Sequence, residues 1–172
     1  LMIIVAAAFL LYVPPYTASN MNFEPDSVEY ALGAKRLLNN GSFDILINKK
    51  SYPSRYPPWF STLFIAPTFL LIGSEPGNAV IPIVITGVMG VLAAWLIGKK
   101  ISGDLGALFA SIFLLISPVY RLYSGQILSD IPCTFLTLTA CVIFLKTNKQ
   151  EILNNRFLFL AGCICGVSAA LR

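Results

Sequence analysis

Two aspartates and a few cationic side chains are the residues of this chain best suited to chemistry. Asp26 stands in FEPDSVEYALGAKRLLNNG and Asp130 in SGQILSDIP. A carboxylate can accept a proton, orient a hydroxyl or ligate a hard cation. Arg55, with Lys49, Lys50 and Arg121 behind it, offers positive charge to an anion, and the arginine fork matches phosphate oxygens. Histidine is absent from all 172 residues, so histidine-based metal sites and histidine general bases are excluded for this stretch. Asp26 and Asp130 alone make a thin, hard-ligand site, so the cofactor expectation is none, or a divalent metal ion between those two carboxylates. Each aspartate also has a structural explanation as a helix cap, Asp26 for a helix over 26–40 and Asp130 for the helix starting at Ile131-Pro132. The two roles are compatible, because amides at a helix N-terminus fix a carboxylate and keep it ionised.

The elements that must position these residues are apolar. Hydrophobic residues make up 56% of the chain and charged residues 12%, and the mean hydropathy is +0.76. The apolar residues come in blocks too regular and too poor in charge for the core of one soluble domain. An all-alpha, multi-spanning integral membrane protein is the expected fold class. Its segments are a truncated transmembrane helix at 1–13, a first outer loop at 14–78, and spans at 79–98, 105–122, 131–145 and 157–172. The net charge of +4 resides in short loops between apolar runs and not on one polar face, which argues for orientation in a membrane and against nucleic acid. Cys133, Cys141, Cys163 and Cys165 lie inside apolar segments and read as small packing residues. The chain starts within one apolar run and stops at the far end of another, and reads as the N-terminal part of a larger protein.

Lysines set the expected sidedness. Lys99 and Lys100 in GKKISGD, and Lys146, Lys149 and Arg156 in KTNKQEILNNR, belong on the cytoplasmic side. The connection YRLYSGQILSD then faces outward, and so does the loop holding Asp26. Under that rule the apolar stretch 58–73 begins and ends outside. It follows Pro57-Pro58, contains Pro67, and is too short for a hydrocarbon core about 30 Å thick. A juxtamembrane helix lying against the outer leaflet is expected there, with an ordinary short span as the alternative.

Within the outer loop, Asp26 followed by Glu29 is a capping-box pattern, and Asn39-Asn40-Gly41 is a stop signal. Val28, Ala31, Leu32 and Leu38 are expected to form the apolar stripe of an amphipathic helix over 26–40, with Glu29, Lys35 and Arg36 polar. The stretch INKKSYPSRYPPW is expected to be irregular, basic and aromatic, suited to lipid head groups or an anionic ligand. Tyr16, Tyr30, Tyr52, Tyr56, Trp59, Tyr120 and Tyr123 form an aromatic belt, within which Tyr30 is one turn from Asp26.

Asp26 with Tyr30, then YPPWFSTLFIAPTFLLIG, then GKKISGDLGALFASIFLLISPVYRLYSGQILSDIP, and finally FLAGCICGVSAALR resemble the N-terminal half of the polyprenyl-phosphate-sugar-dependent membrane glycosyltransferases of GT-C type. The nearest group is the dolichyl-phosphate-mannose-protein mannosyltransferase-like family. The resemblance implies a GT-C-like helical bundle, Asp26 as catalytic residue, and Asp130 at the family's second acidic position. It further implies transfer of a sugar from a dolichyl- or undecaprenyl-phosphate donor to a protein, lipid or glycan acceptor, with inversion, at the outer or lumenal face. Arg55, Tyr30, Asp130 and Arg121 are the expected substrate and phosphate contacts. The implied partners are the lipid-linked sugar, the acceptor and membrane lipids, in a plasma membrane if prokaryotic and endoplasmic reticulum if eukaryotic. One departure stands out: some relatives carry an acid and a lysine before the proline of the juxtamembrane helix, whereas this chain has Ser54-Arg55-Tyr56-Pro57 and keeps only positive charge.

Two other classes compete. A transporter requires polar groups midway through several spans, and these apolar segments carry almost no charge. A non-catalytic scaffold or assembly subunit keeps the helices and makes no use of the aspartates.

Overall fold

The computed structural model describes residues 2–12, 24–47, 50–147 and 155–171. Tyr16, Lys49 and Lys149 lie outside the described residues. The elements run α1 (Met2–Tyr12), α2 (Pro25–Asn40), β1 (Ile45–Ile47), β2 (Lys50–Tyr52), α3 (Ala66–Ile72), α4 (Ile81–Ile116), α5 (Pro118–Tyr123), α6 (Asp130–Thr147) and α7 (Asn155–Ala170). The fold is helical except for one two-stranded antiparallel hairpin in which Ile45 pairs with Tyr52 and Ile47 with Lys50. That hairpin corrects the expectation of an irregular stretch after α2.

Ile81–Ile116 is continuous in hydrogen bonding but reverses direction at Ser102 (φ −133°, ψ 20°) and Gly103 (φ 71°, ψ −154°). Gly103 adopts a backbone conformation that a side chain would not tolerate. Eight residues of straight helix would separate Gly98 from Gly106 by about 12 Å; instead a Cβ on Gly98 would lie 2.3 Å from the Gly106 carbonyl oxygen. Further along, the Tyr120 hydroxyl donates to the Gly87 carbonyl at 2.9 Å. The two limbs are therefore antiparallel, and the predicted turn GKKISGD is where the chain turns. The limb 81–101 rises about 30 Å, the thickness of a hydrocarbon core.

Pro76–Ile116 is the one stretch among the described residues long and apolar enough to cross a membrane by length and composition. The helices Ile3–Tyr12, Ser61–Ile72 and Asn155–Ala170 are apolar but shorter. Many large apolar side chains face outward, and several hydroxyls are buried with the apolar core. Leu71 is 86% exposed, and Phe109, Phe113 and Phe159 also face outward, while Ser61, Thr86, Ser111, Ser124 and Ser168 are buried. Outward aromatic and aliphatic side chains suit an apolar solvent, and the buried hydroxyls bond to backbone carbonyls, either in their own helix or across to a neighbour. Thr86 donates to the Pro82 carbonyl at 2.9 Å and Ser111 to Ala107 at 2.7 Å. The protein is membrane-associated.

Around this hairpin, α1 lies along α4, with its Tyr12 ring 6.1 Å from that of Tyr120. α7 is stitched to α6 by Ser168, which donates to the Cys133 carbonyl at 2.9 Å and accepts at its own carbonyl from the Cys133 thiol at 3.3 Å. None of the four cysteines forms a disulfide among the described residues. Ahead of α3, residues Ser61–Ile65 form one π-helical turn, closed by the Ala66 amide donating to the Ser61 carbonyl. The wide turn accommodates Pro67, which has no amide hydrogen to give and crowds the preceding turn.

Candidate functional site

α2 sets the site. Pro25 opens it and Glu24 occupies the extended N-cap position without a side-chain cap bond, while Asp26 lies within the first turn. Asp26 is thus not the N-cap, and Glu29 does not reach back to complete a capping box. The Asp26 charge still favours the positive end of the helix dipole. At the other end Gly41 takes the left-handed conformation (φ 67°) and its amide donates to the Leu37 carbonyl at 2.9 Å, as the stop signal predicts.

The buried face of α2 carries Ser27, Glu29, Tyr30, Gly33 and Ala34. Glu29, expected on the polar face, is thus inward, while Val28 is 42% and Leu32 38% exposed. Gly33 lets the π-turn come close, with Ser61 Oγ donating to the Tyr30 carbonyl at 2.9 Å. Val28 and Leu32 line a shallow apolar groove against Phe69.

Turning α2 this way buries Glu29, whose side chain is 5% exposed. Its carboxylate fastens the segment after β2. The Arg55 amide donates to Oε1, Arg55 Nε donates to Oε2 at 2.8 Å, and Ser54 Oγ donates to Oε1 at 3.1 Å. Burial pushes the Glu29 carboxyl up, but these bonds to Arg55 and Ser54 outweigh it and hold the group below its ordinary value.

Held there, the Arg55 guanidinium comes within 3.8 Å of Asp26 Oδ1, with side chains 64% and 39% exposed. It also lies 5.5 Å above the Tyr56 ring. The Asp26 carboxylate beside it holds the Tyr56 phenol's pKa above its ordinary value. Tyr30 stacks between Tyr56, at 5.1 Å, and Phe60, at 4.7 Å. Burial raises the Tyr30 pKa first, and the charges of Asp26 and Asp130 raise it further, against a hydrogen bond from Ser129. Tyr30 is thus near enough to both carboxylates to feel their charge.

That coupling brings the predicted residues together. Asp26, Tyr30, Arg55 and Asp130 gather at one end of the bundle, with Asp130 in the first turn of α6 at the mouth of a groove of about 610 Å³ between α6 and α7. Arg121 lies in the exposed last turn of α5, on the segment leading to Ser129 and Asp130. Lys50 is exposed on β2. Lys99, Lys100 and Lys146 cluster around a separate groove, about 18 Å along α4 from Gly87 at 1.5 Å per residue. Gly87 itself lies beside Ser124 and Ile131, so the carboxylates and the lysines occupy opposite ends.

Glu29, Ser54, Tyr56 and Ser129 were missed as members of the site. The available signal was Glu29 itself, a carboxylate one helical turn beyond Asp26 on the same face. A divalent ion does not fit these residues. The Arg55 guanidinium already compensates Asp26 at 3.8 Å, and among the described residues no three His, Cys, Asp or Glu side chains converge. No step is routed through a metal.

The Glu29 clamp carries a prediction. Glu29→Ala should speed hydrogen exchange of the Arg55 amide roughly 10- to 100-fold, as expected for losing a bond to a charged acceptor. Because the folded carboxyl is depressed, the wild-type clamp contributes fully above the unfolded value near 4.5 and is lost as pH falls through the lower folded value. Exchange read by mass spectrometry across that acidic window should lose this protection in wild type and show no such transition in Glu29→Gln. Equal protection in wild type and Glu29→Ala would mean that the clamp does not hold.

Outward-facing apolar side chains and a helix apolar and long enough to cross a membrane mark a helical, membrane-associated protein with a polar cluster at one end. The family described as dolichyl-phosphate-mannose-protein mannosyltransferase matches residues 56–172, and the chain belongs to that family. The match includes Tyr56, Arg121, Ser129 and Asp130, and begins after Asp26, Glu29 and Arg55. No curated protein and no solved structure gave a match.

Proposed function

We propose that the protein transfers a sugar from a polyprenyl-phosphate monosaccharide to an acceptor hydroxyl on the outer or lumenal face of a membrane that its helices cross several times. The observation that carries this reading is the juxtaposition of Asp26 with Arg55 at 3.8 Å, both solvent-accessible, at the end of the bundle away from the lysines. Asp26 takes the acceptor's proton as the acceptor oxygen bonds to the sugar's anomeric carbon. The bond from that carbon to the phosphate oxygen breaks, and polyprenyl phosphate leaves with the electron pair. Arg55 stabilises the charge that develops on the departing phosphate. A single displacement with no enzymic nucleophile inverts the anomeric centre. Tyr56 orients Asp26, and Tyr30 lines the sugar side with Asp130. Family membership supports the donor class, while sugar and acceptor are left open.

The test is transfer by the whole protein in membranes from labelled undecaprenyl- and dolichyl-phosphate sugars, with the anomeric configuration of the product determined. Inverted product supports the reading; no transfer from any of these donors, or retained configuration, defeats it. In the same assay Arg55→Ala should raise the donor KM about 10-fold or more, as expected for losing a charge-assisted phosphate contact. An unchanged KM would remove Arg55 from the donor site.

A further inference from the structure

The end of the bundle opposite the carboxylates carries a second binding feature. Lys99, Lys100 and Lys146 surround a groove of about 210 Å³ whose walls are Leu96, Val142 and Leu145. Lys99 is committed, with its ammonium 3.0 Å from Asp104 Oδ1 and 4.9 Å from the Trp95 ring centroid. Among the described residues Lys100 and Lys146 form no ion pair, so two like charges meet at one rim without compensation. Such a rim attracts an anion.

The groove does not end at the lysines. Ile97 and Leu145 are shared with an apolar trough of about 740 Å³ that continues past Phe144, Leu158 and Gly162 between α6 and α7. A free phosphate would use the rim and leave the trough wet. A molecule with a phosphate at one end and a long alkyl chain at the other fills both. We propose that this groove is a binding site for an anionic phospholipid, its phosphate on Lys100 and Lys146 and one acyl chain along the trough. Trp95 sits at the same level, where an indole favours a membrane interface. The site stands on these residues alone and is independent of the transfer reaction.

The experiment is native mass spectrometry of the whole protein in detergent with equal amounts of phosphatidylglycerol and phosphatidylcholine of identical acyl chains. The expected result is retention of phosphatidylglycerol over phosphatidylcholine by roughly 10-fold or more, from two lysines near one phosphate. Lys100→Gln with Lys146→Gln should erase that preference, and Lys100→Arg with Lys146→Arg should keep it. Equal retention of the two lipids by wild type overturns the proposal, as does a preference that survives the glutamine pair. Displacement of phosphatidylglycerol by an equal concentration of glycerol 1-phosphate overturns it too, by showing an anion site with no use for the trough. An absence of bound lipid, with another part of the protein filling the trough, has the same meaning. If the glutamine pair fails to fold, the wild-type ratio and the arginine pair decide.

Discussion

Asp26→Asn is expected to lower sugar transfer between roughly 10²- and 10⁴-fold, the range for removing a general base. The substitution is nearly isosteric, and it removes the charge that holds the Tyr56 phenol's pKa up. It cannot take a proton, and it leaves the Arg55 guanidinium paired with Glu29 alone. Stability should change little, because the Asp26–Arg55 pair is solvent-exposed and such pairs contribute little. The measurement is transfer from a labelled polyprenyl-phosphate sugar at matched expression, alongside the melting temperature. A fall in kcat with an unchanged melting temperature is the signature of lost chemistry. Normal transfer by Asp26→Asn would leave Asp26 as a first-turn charge on α2 and end its catalytic assignment.

The largest structural effect is expected at Gly98. A Cβ there would lie 2.3 Å from the Gly106 carbonyl oxygen, 2.7 Å from its carbonyl carbon and 3.0 Å from Ala107 Cα. These are backbone atoms, so no side chain can swing aside, and the limbs of α4 must separate. Gly98→Ala should therefore cost about 3 kcal/mol or more, the upper end of overpacking effects. Small residues that let helices approach are the usual device where apolar solvent supplies no hydrophobic drive between helices. Gly162→Ala and Gly166→Ala are the controls, since a Cβ at either meets nothing within 4 Å. Thermal unfolding in detergent should show a sharply lowered melting temperature for Gly98→Ala and little change for the controls. Equal stability of all three would contradict the reversal at Gly103.

Much of this was legible because it depends on local rules. Gly41 ends α2 in the left-handed conformation because asparagine and glycine in sequence signal that stop. The turn at GKKISGD was readable from a lysine pair and a glycine between apolar runs. The inward face of α2 was not readable. Val28, Ala31, Leu32 and Leu38 read as the stripe of an interfacial helix and Glu29 as part of its polar face, yet Ser27, Glu29 and Tyr30 are buried, because the surface that covers them comes from the π-turn about 30 positions further along the chain.

By itself, the sequence determined the class of solvent, the order of the helices, the breaks at glycine and proline, and which few charged residues stand outside the apolar runs. These follow from composition and from backbone preferences that act within a few residues. Only the tertiary structure decided that Glu29 would hold Arg55 beside Asp26 and that Tyr30 would feel the charge of Asp130. It likewise gathered Lys99, Lys100 and Lys146 at the far end. Glu29 and Arg55 are 26 positions apart, Lys99 and Lys146 are 47 apart, and Tyr30 and Asp130 are 100 apart. Their partners are chosen by how helices cross and which faces meet, information that local propensity does not carry.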